Sequence, residues 1–194
     1  MTDPHKATTD APILDVISER WSPVIFSDTP IEAEKIASLF EAARWACSSY
    51  NEQPWRYIYA LKGDPGREKL ESLLVEGNAW AKNAGLLLVD FAKKTFTKNG
   101  KPNTEALHDL GASNFAIALQ ATAMGLYSHQ MVGFDAARAS TDFGVPEDFV
   151  PGSMMAIGYL GDAATAPEAL RKRQESPRMR NPASSFAFRG EWKA

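Results

Sequence analysis

The sequence predicts one domain that mixes helices and strands, in the α+β or α/β class. Most of the chain has apolar residues at the three-or-four-residue spacing of helices, and three short runs are strand-like. The 194 residues suffice for one domain with a sizeable core and leave little room for a second. No run approaches the ~20 apolar residues that a membrane-spanning helix needs.

The first two helices are predicted near the N-terminus. Residues 13–20 have the spacing of a short amphipathic helix. A second helix is predicted over residues 31–46, because Thr29 can cap it and Glu32 can complete a capping box. Residues 47–51 then form a loop.

The middle of the chain alternates strands with short helices. Residues 55–61 (WRYIYAL) are aromatic and β-branched, which favours a strand, and residues 85–91 (GLLLVDF) favour a buried strand. Between them the sequence predicts a turn over 62–66 and helices over 67–76 and 79–83. Residues 93–103 are polar and predict an exposed loop.

The longest helix is predicted over residues 104–124. Its small residues would let another helix come close, so we expect a central or dimer-interface helix that ends at Gly125. A short helix over 136–143 follows, with Asp135 as its cap. Residues 153–160 are another strand candidate.

Both ends of the chain are polar, but the C-terminal end is also aromatic. Residues 163–194 contain Phe186, Phe188 and Trp192, which a solvated tail would not usually carry, so we expect this tail to dock on its own domain or on a partner. Residues 1–12 are predicted to be a flexible leader, and residues 13–194 a single domain. The leader lacks the apolar core of a signal peptide, so a cytoplasmic protein is expected.

Composition and missing motifs exclude several classes of protein. A net charge of −3 argues against a broad basic face for nucleic acid, and a single cysteine excludes an intrachain disulfide. The chain has no zinc-binding spacing, phosphate loop, dinucleotide fingerprint or nucleophile elbow. No metal site is therefore predicted.

One segment, residues 43–57, is dense in groups that can carry chemistry. Its amide side chains, Asn51 and Gln53, each offer a donor and an acceptor that could read a flat heterocycle. From the residues alone, the favoured explanation of the segment is a turn whose polar groups satisfy its own backbone.

Residues 48–55 (SSYNEQPW) resemble the motif P-S-S-x-N-x-Q-P-W of the nitroreductase-like oxidoreductases that use flavin mononucleotide (FMN). Weaker matches follow the family's order along about residues 13–192. They lie at residues 19–26, 111–129, 132–135, 145–148, 156–159 and 178–182.

The resemblance implies an α+β fold with a central, mainly antiparallel sheet flanked by helices. It also implies an intertwined homodimer that binds FMN at its interface, with the C-terminal tail docked on the partner subunit. In the family the flavin accepts hydride from NADH or NADPH and passes it to an electrophile such as a nitroaromatic or a quinone. No protein nucleophile or general base is required.

The resemblance also assigns cofactor-binding positions. Arginines fit the phosphate because their fork matches its oxygens. Arg20 and Ser22 would reach the phosphate and ribityl end, and Arg178 and Arg180 would approach the phosphate from the tail. Trp21 stands in this site where the family has a second arginine. The ring would be bound by Ser48, Ser49 and Asn51, with Gln53 either joining them or supporting the loop, and by a backbone N–H at Val132 and Gly133 near the flavin N5.

Two departures from the family pattern affect the chemistry. Cys47 replaces the family's leading proline, and we expect a packed, inert thiol there. Val24 replaces a basic residue whose charge would stabilise the reduced ring, unless Arg56 or Lys82 supplies it.

Two other functions remain open. The loss of the cation at Val24 fits a flavin store or sensor with little reductase activity, and a purely structural loop fits an oligomeric interaction module. The sequence does not distinguish NADH from NADPH or name the acceptor.

Overall fold

An antiparallel sheet lies at the centre of the computed structural model, which describes residues 5–192. Within those residues it has four strands in the order β1-β2-β4-β3, and every neighbouring pair is antiparallel. The strands are β1 (Trp55–Leu61), β2 (Leu86–Lys93), β3 (Tyr127–Met131) and β4 (Phe149–Gly158). β1 and β3 are therefore the two edge strands.

Helices cover both faces of this sheet. They are α1 (Asp15–Glu19), α2 (Ala33–Arg44), α3 (Arg67–Glu71), α4 (Ala106–Ala123), α5 (Ala136–Asp142) and α6 (Glu168–Gln174). Short 3₁₀ turns lie at Ser49–Asn51, Glu76–Asn83, Ala163–Thr165 and Ala183–Ser185.

The central strand β2 builds two cores because it is apolar on both sides. Leu86 and Leu88 share one cluster with the apolar residues of α2 and α4, whereas Leu87 and Val89 belong to the cluster on the opposite face. All four side chains are fully buried. This continuous apolar run is what a strand covered on both faces requires.

The helix α4 lies against the sheet through its apolar and small residues. Ile117 and Ala121 are buried in the cluster that it shares with α2. The helix is followed by Gly125, whose φ of 73° reverses the chain into β3. The opposite core contains Leu70, Leu73 and Trp80, together with Phe26, which bridges to Leu160.

The structure confirms the predicted α+β fold and the antiparallel sheet. The predicted strands at 55–61, 85–91 and 153–160 correspond to β1, β2 and β4. β3 was not predicted. The loop expected at 93–103 forms a small hairpin, in which Thr95 bridges to Pro102.

The predicted capping box of the second helix is wrong. Glu32 is the N-cap residue and makes no side-chain capping bond. Its carboxylate accepts a hydrogen bond from the Tyr159 hydroxyl at 2.6 Å, while the Thr29 hydroxyl pairs with that of Ser27 at 2.6 Å. Both side chains are therefore occupied by other partners.

The segments near the two ends of the chain make contacts within the described residues. Residues 1–4 of the predicted leader lie outside the described residues. Further along it, His5 stacks on Trp21 with ring centroids 3.7 Å apart, and the Ala7 N–H donates to the Ser18 carbonyl at 2.8 Å. In the tail, Phe188 and Trp192 contact each other edge to face. Within residues 5–192, no helix is both long enough and apolar enough to cross a membrane.

Candidate functional site

The loop of residues 48–53 has an unusual backbone. Tyr50, Asn51 and Gln53 all have positive φ, at 51°, 56° and 51°. This left-handed region costs a non-glycine residue about 1–2 kcal/mol, so three such residues persist only where their surroundings hold them. Strain of this kind is concentrated at functional sites.

Hydrogen bonds hold the loop in that conformation. The Ser49 N–H donates at 2.9 Å to Oδ2 of Asp109, a buried carboxylate of α4. The Gln53 N–H donates to the Ser48 hydroxyl at 3.0 Å, and Gln53 Nε2 donates to Oδ1 of Asn51 at 3.1 Å. Gln53 therefore supports the loop, which is one of the two roles predicted for it.

Asn51 retains an unused donor. Its Oδ1 is fixed by Gln53, but its Nδ2 donates no hydrogen bond to any residue that the structure describes. Asn51 is exposed. The amide is thus oriented from one side and open on the other, as recognition of a heterocycle edge requires.

A buried polar network lies next to the loop, between the sheet and α4. Asp90 of β2 accepts hydrogen bonds from Asn114 Nδ2 at 2.8 Å and from the Ser153 hydroxyl at 2.6 Å, and Asn114 Oδ1 accepts from Tyr57. Burial raises the pKa of Asp90, although its hydrogen bonds oppose that shift. The network ties β1, β2 and β4 to the helix that carries Asp109.

The second part of the site is a cavity of about 410 Å³ that we call the arginine cavity. It is lined by Arg20, Arg173, Arg178, Arg180 and Ser22, among others, and no described lining residue is acidic. Burial lowers the pKa of Arg20, and the positive charges of Arg178 and Arg180 lower it further. Such a concentration of positive charge fits an anionic group such as a phosphate.

The arginines of this cavity differ in what they contact. Arg20 Nη1 donates to the Ser22 hydroxyl at 3.2 Å. Arg178 donates to the carbonyls of His5, Ser18 and Arg20, the last two at 2.8 Å. Arg178 therefore anchors the backbone that carries Arg20 while adding its charge to the cavity. Arg180 is exposed.

Trp21 and Val24 point to the core rather than to open surface. Trp21 is buried beside His5 and Tyr127 and forms part of the wall of the arginine cavity. Val24 is buried in the core, so no charge replaces the family's basic residue at that position. Of the two proposed substitutes, Arg56 lies against the loop, because its Nη1 donates to the Gln53 carbonyl at 3.1 Å. Lys82 directly follows Ala81, which belongs to the same core cluster as Val24.

A larger groove of about 670 Å³ shares Arg20, Ser22, Arg178 and Arg180 with the arginine cavity. It continues past Phe115 and Ala118 of α4, Ser128 and Gln130 of β3, and Ala183 and Phe186 of the tail. Its mixed polar and apolar walls suit an elongated ligand that is charged at one end.

The segment after β3 contains an available backbone donor. The Gly133 carbonyl accepts from Asn78 Nδ2 at 3.0 Å, but its own N–H donates no hydrogen bond within residues 5–192. A Cβ on Gly133 would lie 2.7 Å from Asn78 Nδ2, so a larger residue there would displace the Asn78 amide from the Gly133 carbonyl. The neighbouring Val132 side chain is 84% exposed.

The single cysteine was predicted incorrectly. Cys47 is exposed, not packed. It lies just after the end of α2, where the chain leaves the helix and the side chain of Trp45, two residues earlier, is also exposed.

Within the single chain the predicted residues fall into two groups. Arg20, Trp21, Ser22, Arg178 and Arg180 share the arginine cavity, and Val132 and Gly133 follow the adjacent edge strand β3. Ser48, Ser49, Asn51 and Gln53 precede the other edge strand, β1. Three inter-strand spacings, about 14 Å, separate the two edges.

Three contributing residues were missed by the sequence reasoning. Asp109 holds the loop, Asn78 holds Gly133, and Arg173 adds a charge to the arginine cavity. Asp109 alone carried a signal, since it lies three residues after Ala106 and four before Ser113, which the helical spacing places in the core.

Comparison with known proteins identifies the family. Residues 17–95 match the nitroreductase family. A solved structure described as an oxidoreductase containing FMN has 33% sequence identity and a TM-score of 0.92, and the match covers 100% of this chain and 99% of that one. The chain belongs to the nitroreductase family.

Curated relatives agree with this assignment. Protein DrgA of Synechocystis is 31% identical over 193 residues, covering 84% of this chain and 89% of its own. A Xanthomonas oryzae protein named "Putative NADH dehydrogenase/NAD(P)H nitroreductase" is 28% identical over 165 residues, covering 75% of this chain and 84% of its own.

Proposed function

We propose that this chain is an FMN-dependent oxidoreductase that transfers hydride from NADH or NADPH to an electrophilic acceptor, such as a nitroaromatic or a quinone. The arginine cavity carries the proposal, because four arginines converge on it and their guanidinium groups suit the phosphate of FMN. The FMN of the similar solved structure and the nicotinamide in the name of the Xanthomonas oryzae relative support it.

The residues of this chain fit the two ends of FMN. Arg20, Ser22 and Arg180 would hold the phosphate, with Arg178 keeping the Arg20 backbone in place. Asn51 would donate to the ring edge, and the Gly133 N–H would donate near N5. When bound, FMN supplies the hydride-accepting and hydride-donating chemistry.

The two halves of the site favour a homodimer. Asp109, near the start of α4, binds the loop of residues 48–53, whereas Phe115 and Ala118, further along, line the groove beside the arginine cavity. In one protomer the loop and the groove thus lie at different parts of the helix. A second copy that supplied its loop to the groove would complete the site. The cytoplasmic location stays a prediction.

The buried Val24 favours a second candidate, a flavin store or sensor. A cation beside the ring stabilises its reduced, anionic form, and Val24 provides none. Arg56 is a cation that contacts the loop, and its charge can compensate for the missing one. The two candidates therefore differ in how readily bound flavin is reduced.

The visible spectrum of the purified protein tests both candidates. We expect flavin absorbance that is bleached by anaerobic NADH or NADPH and restored by a nitroaromatic or a quinone. Bound flavin that neither nucleotide reduces would favour the store or sensor. A protein that takes up no added FMN would contradict both.

A matched pair of variants tests whether Arg20 of the arginine cavity binds FMN. Arg20→Met should weaken FMN binding about 10- to 100-fold, the value of one charge-assisted hydrogen bond. Arg171→Met, on α6 but outside the lining of the arginine cavity, should leave FMN affinity unchanged.

A further inference from the structure

We propose that a cleft between the loop and the 95–102 hairpin binds the negatively charged group of an aromatic substrate. This hairpin cleft is lined by Tyr50, Glu52, Phe96, Lys98, Asn99, Lys101 and Pro102 and has a volume of about 530 Å³. The inference rests on the proposed function, and it names the chemistry that the protein selects.

The hairpin is an ordered wall. The Phe96 N–H donates to the Lys101 carbonyl at 2.8 Å, and the Gly100 N–H donates back to the Phe96 carbonyl at 2.8 Å. Gly100 has a φ of 68°, which glycine adopts without strain. The side chains of Phe96, Lys98 and Lys101 are thus presented from a turn of defined shape.

The hairpin is also fixed to the loop that carries Asn51. The Glu52 carboxylate accepts hydrogen bonds from the Thr97 N–H at 2.7 Å and from the Thr97 hydroxyl at 2.5 Å. The Thr97 hydroxyl bond is the main cause of a lowered Glu52 pKa. Because the two segments are joined, a ligand in the cleft lies beside the proposed flavin-binding loop.

Aromatic rings form one side of the cleft. Tyr50 is 93% exposed and contacts Phe96 edge to face, with centroids 5.9 Å apart. Its backbone is in the left-handed conformation, which tyrosine rarely adopts. A strained residue that exposes a large ring is poorly explained by folding, whereas a planar ligand would cover that ring.

The charges of the cleft select an anion. Lys98 and Lys101 are exposed and form no ion pair within the described part of the chain, whereas Lys93 of the same segment is paired with Asp148. The two lysines and one glutamate give the cleft a formal charge of +1, in a chain whose net charge is −3. Thr97 holds the Glu52 carboxylate in its charged form, and the two lysines outweigh that single negative charge.

Two participants in the proposed reaction can supply an aromatic ring with a negatively charged group. The anionic group can be a carboxylate on the aromatic acceptor or a phosphate of the nicotinamide dinucleotide. Both combine a planar ring with a negative group. The test therefore separates them.

Calorimetric titration of the oxidised, FMN-loaded protein at low salt makes the test without turnover. The probes are 4-nitrobenzoate with its neutral analogue 4-nitrobenzamide, and NADP⁺ with NAD⁺. We expect the double variant Lys98→Met/Lys101→Met to weaken the binding of 4-nitrobenzoate or of the nucleotides about five- to tenfold. That loss corresponds to the sum of two exposed charge contacts. 4-Nitrobenzamide should be unaffected.

The controls separate charge, ring and cofactor. Lys94→Met, which removes an exposed lysine outside the cleft lining, should bind every probe as the wild type does. Tyr50→Asn, which tolerates the positive φ, should weaken both nitro compounds equally. A loss for nitrobenzoate assigns the cleft to the acceptor, and a loss for the nucleotides assigns it to the reductant.

Two results would overturn the inference. One is that the double lysine variant binds all four probes with wild-type affinity, and the other is that the wild type binds neither 4-nitrobenzoate nor either nucleotide. Failure of the proposed function would be seen before the titration, because the protein would then take up no FMN.

Discussion

At the scale of single residues, Asn51 combines a strained backbone with an unused amide donor. We expect Asn51→Ala to weaken FMN binding by about 1–3 kcal/mol, the value of one or two hydrogen bonds. Asn51→Gly should lose the same affinity but unfold less readily than Asn51→Ala, because glycine adopts its φ of 56° freely. Flavin fluorescence titration and urea unfolding of the cofactor-free protein measure the two effects.

Gln53→Ala is the control for Asn51. It keeps the Asn51 amide but removes the hydrogen bond that orients it, so its loss of FMN affinity should be smaller. Wild-type affinity in Asn51→Ala and Asn51→Gly would show that Asn51 is misassigned.

Gly133 is constrained by a neighbour, not only by a ligand. Gly133→Ala would place a Cβ 2.7 Å from Asn78 Nδ2 and displace that amide from the Gly133 carbonyl, so we expect a loss of about 1 kcal/mol in the free energy of unfolding. Asn78→Ala removes that clash, so the double variant should be more stable than the two single losses predict. Urea unfolding without FMN measures this coupling, and strictly additive losses would contradict the proposed contact.

At the scale of elements, β3 is tied to the opening segment by His129. Its Nδ1 lies 2.8 Å from the Pro23 carbonyl, and its ring lies against Trp80. Burial lowers the pKa of His129 below its ordinary value of 6.5, and the charges of Arg173 and Arg20 lower it further. Folding therefore favours the neutral imidazole.

The sign of the pH effect follows from that shift. The stabilisation from His129 is fully present above pH 6.5 and is lost as the pH falls from 6.5 through the folded pKa, where the unfolded chain binds the extra proton. Wild-type protein should lose more stability between pH 7.5 and 5.5 than His129→Asn, which keeps a donor for Pro23. Urea midpoints at the two pH values provide the comparison, and equal losses would refute it.

The elements that the sequence predicted well are those with a strong local pattern. Residues 55–61 were predicted as a strand from aromatic and β-branched residues, and β1 spans those same residues. β3 was not predicted because it is short and because its polar residues Ser128 and Gln130, which line the groove, interrupt the apolar pattern of a strand. The capping box failed because Glu32 accepts from Tyr159, a tertiary partner that local rules do not include, and because Thr29 pairs with its neighbour Ser27.

The same limit applies to the candidate site. The loop was found because its residues are consecutive and distinctive. Asp109 and Asn78 act on residues 60 and 55 positions away, so only the fold brings them to Ser49 and Gly133. The hairpin cleft depends on the Glu52–Thr97 contact, which joins segments 45 residues apart.

At the scale of the whole molecule, the division of the site accounts for the exposed apolar tail. Phe186 is 69% exposed and lines the groove beside the arginine cavity, and Trp192 is 83% exposed. Large exposed apolar side chains mark interaction surfaces. A tail that docks on a second copy would bury them and bring the partner's loop to the groove.

Phe186→Ser/Trp192→Ser tests this arrangement. We expect the wild type to be a dimer by light scattering and the double variant to be largely monomeric, because it loses two large apolar contacts of roughly 1.5–3 kcal/mol each. FMN content should fall with the dimer, since the proposed site combines residues of two chains. Val75→Ser, which removes an exposed apolar side chain outside the tail, should leave the dimer intact. A monomer that still binds FMN tightly would show that one chain holds the whole site, and the loop and the arginine cavity would then belong to separate functions.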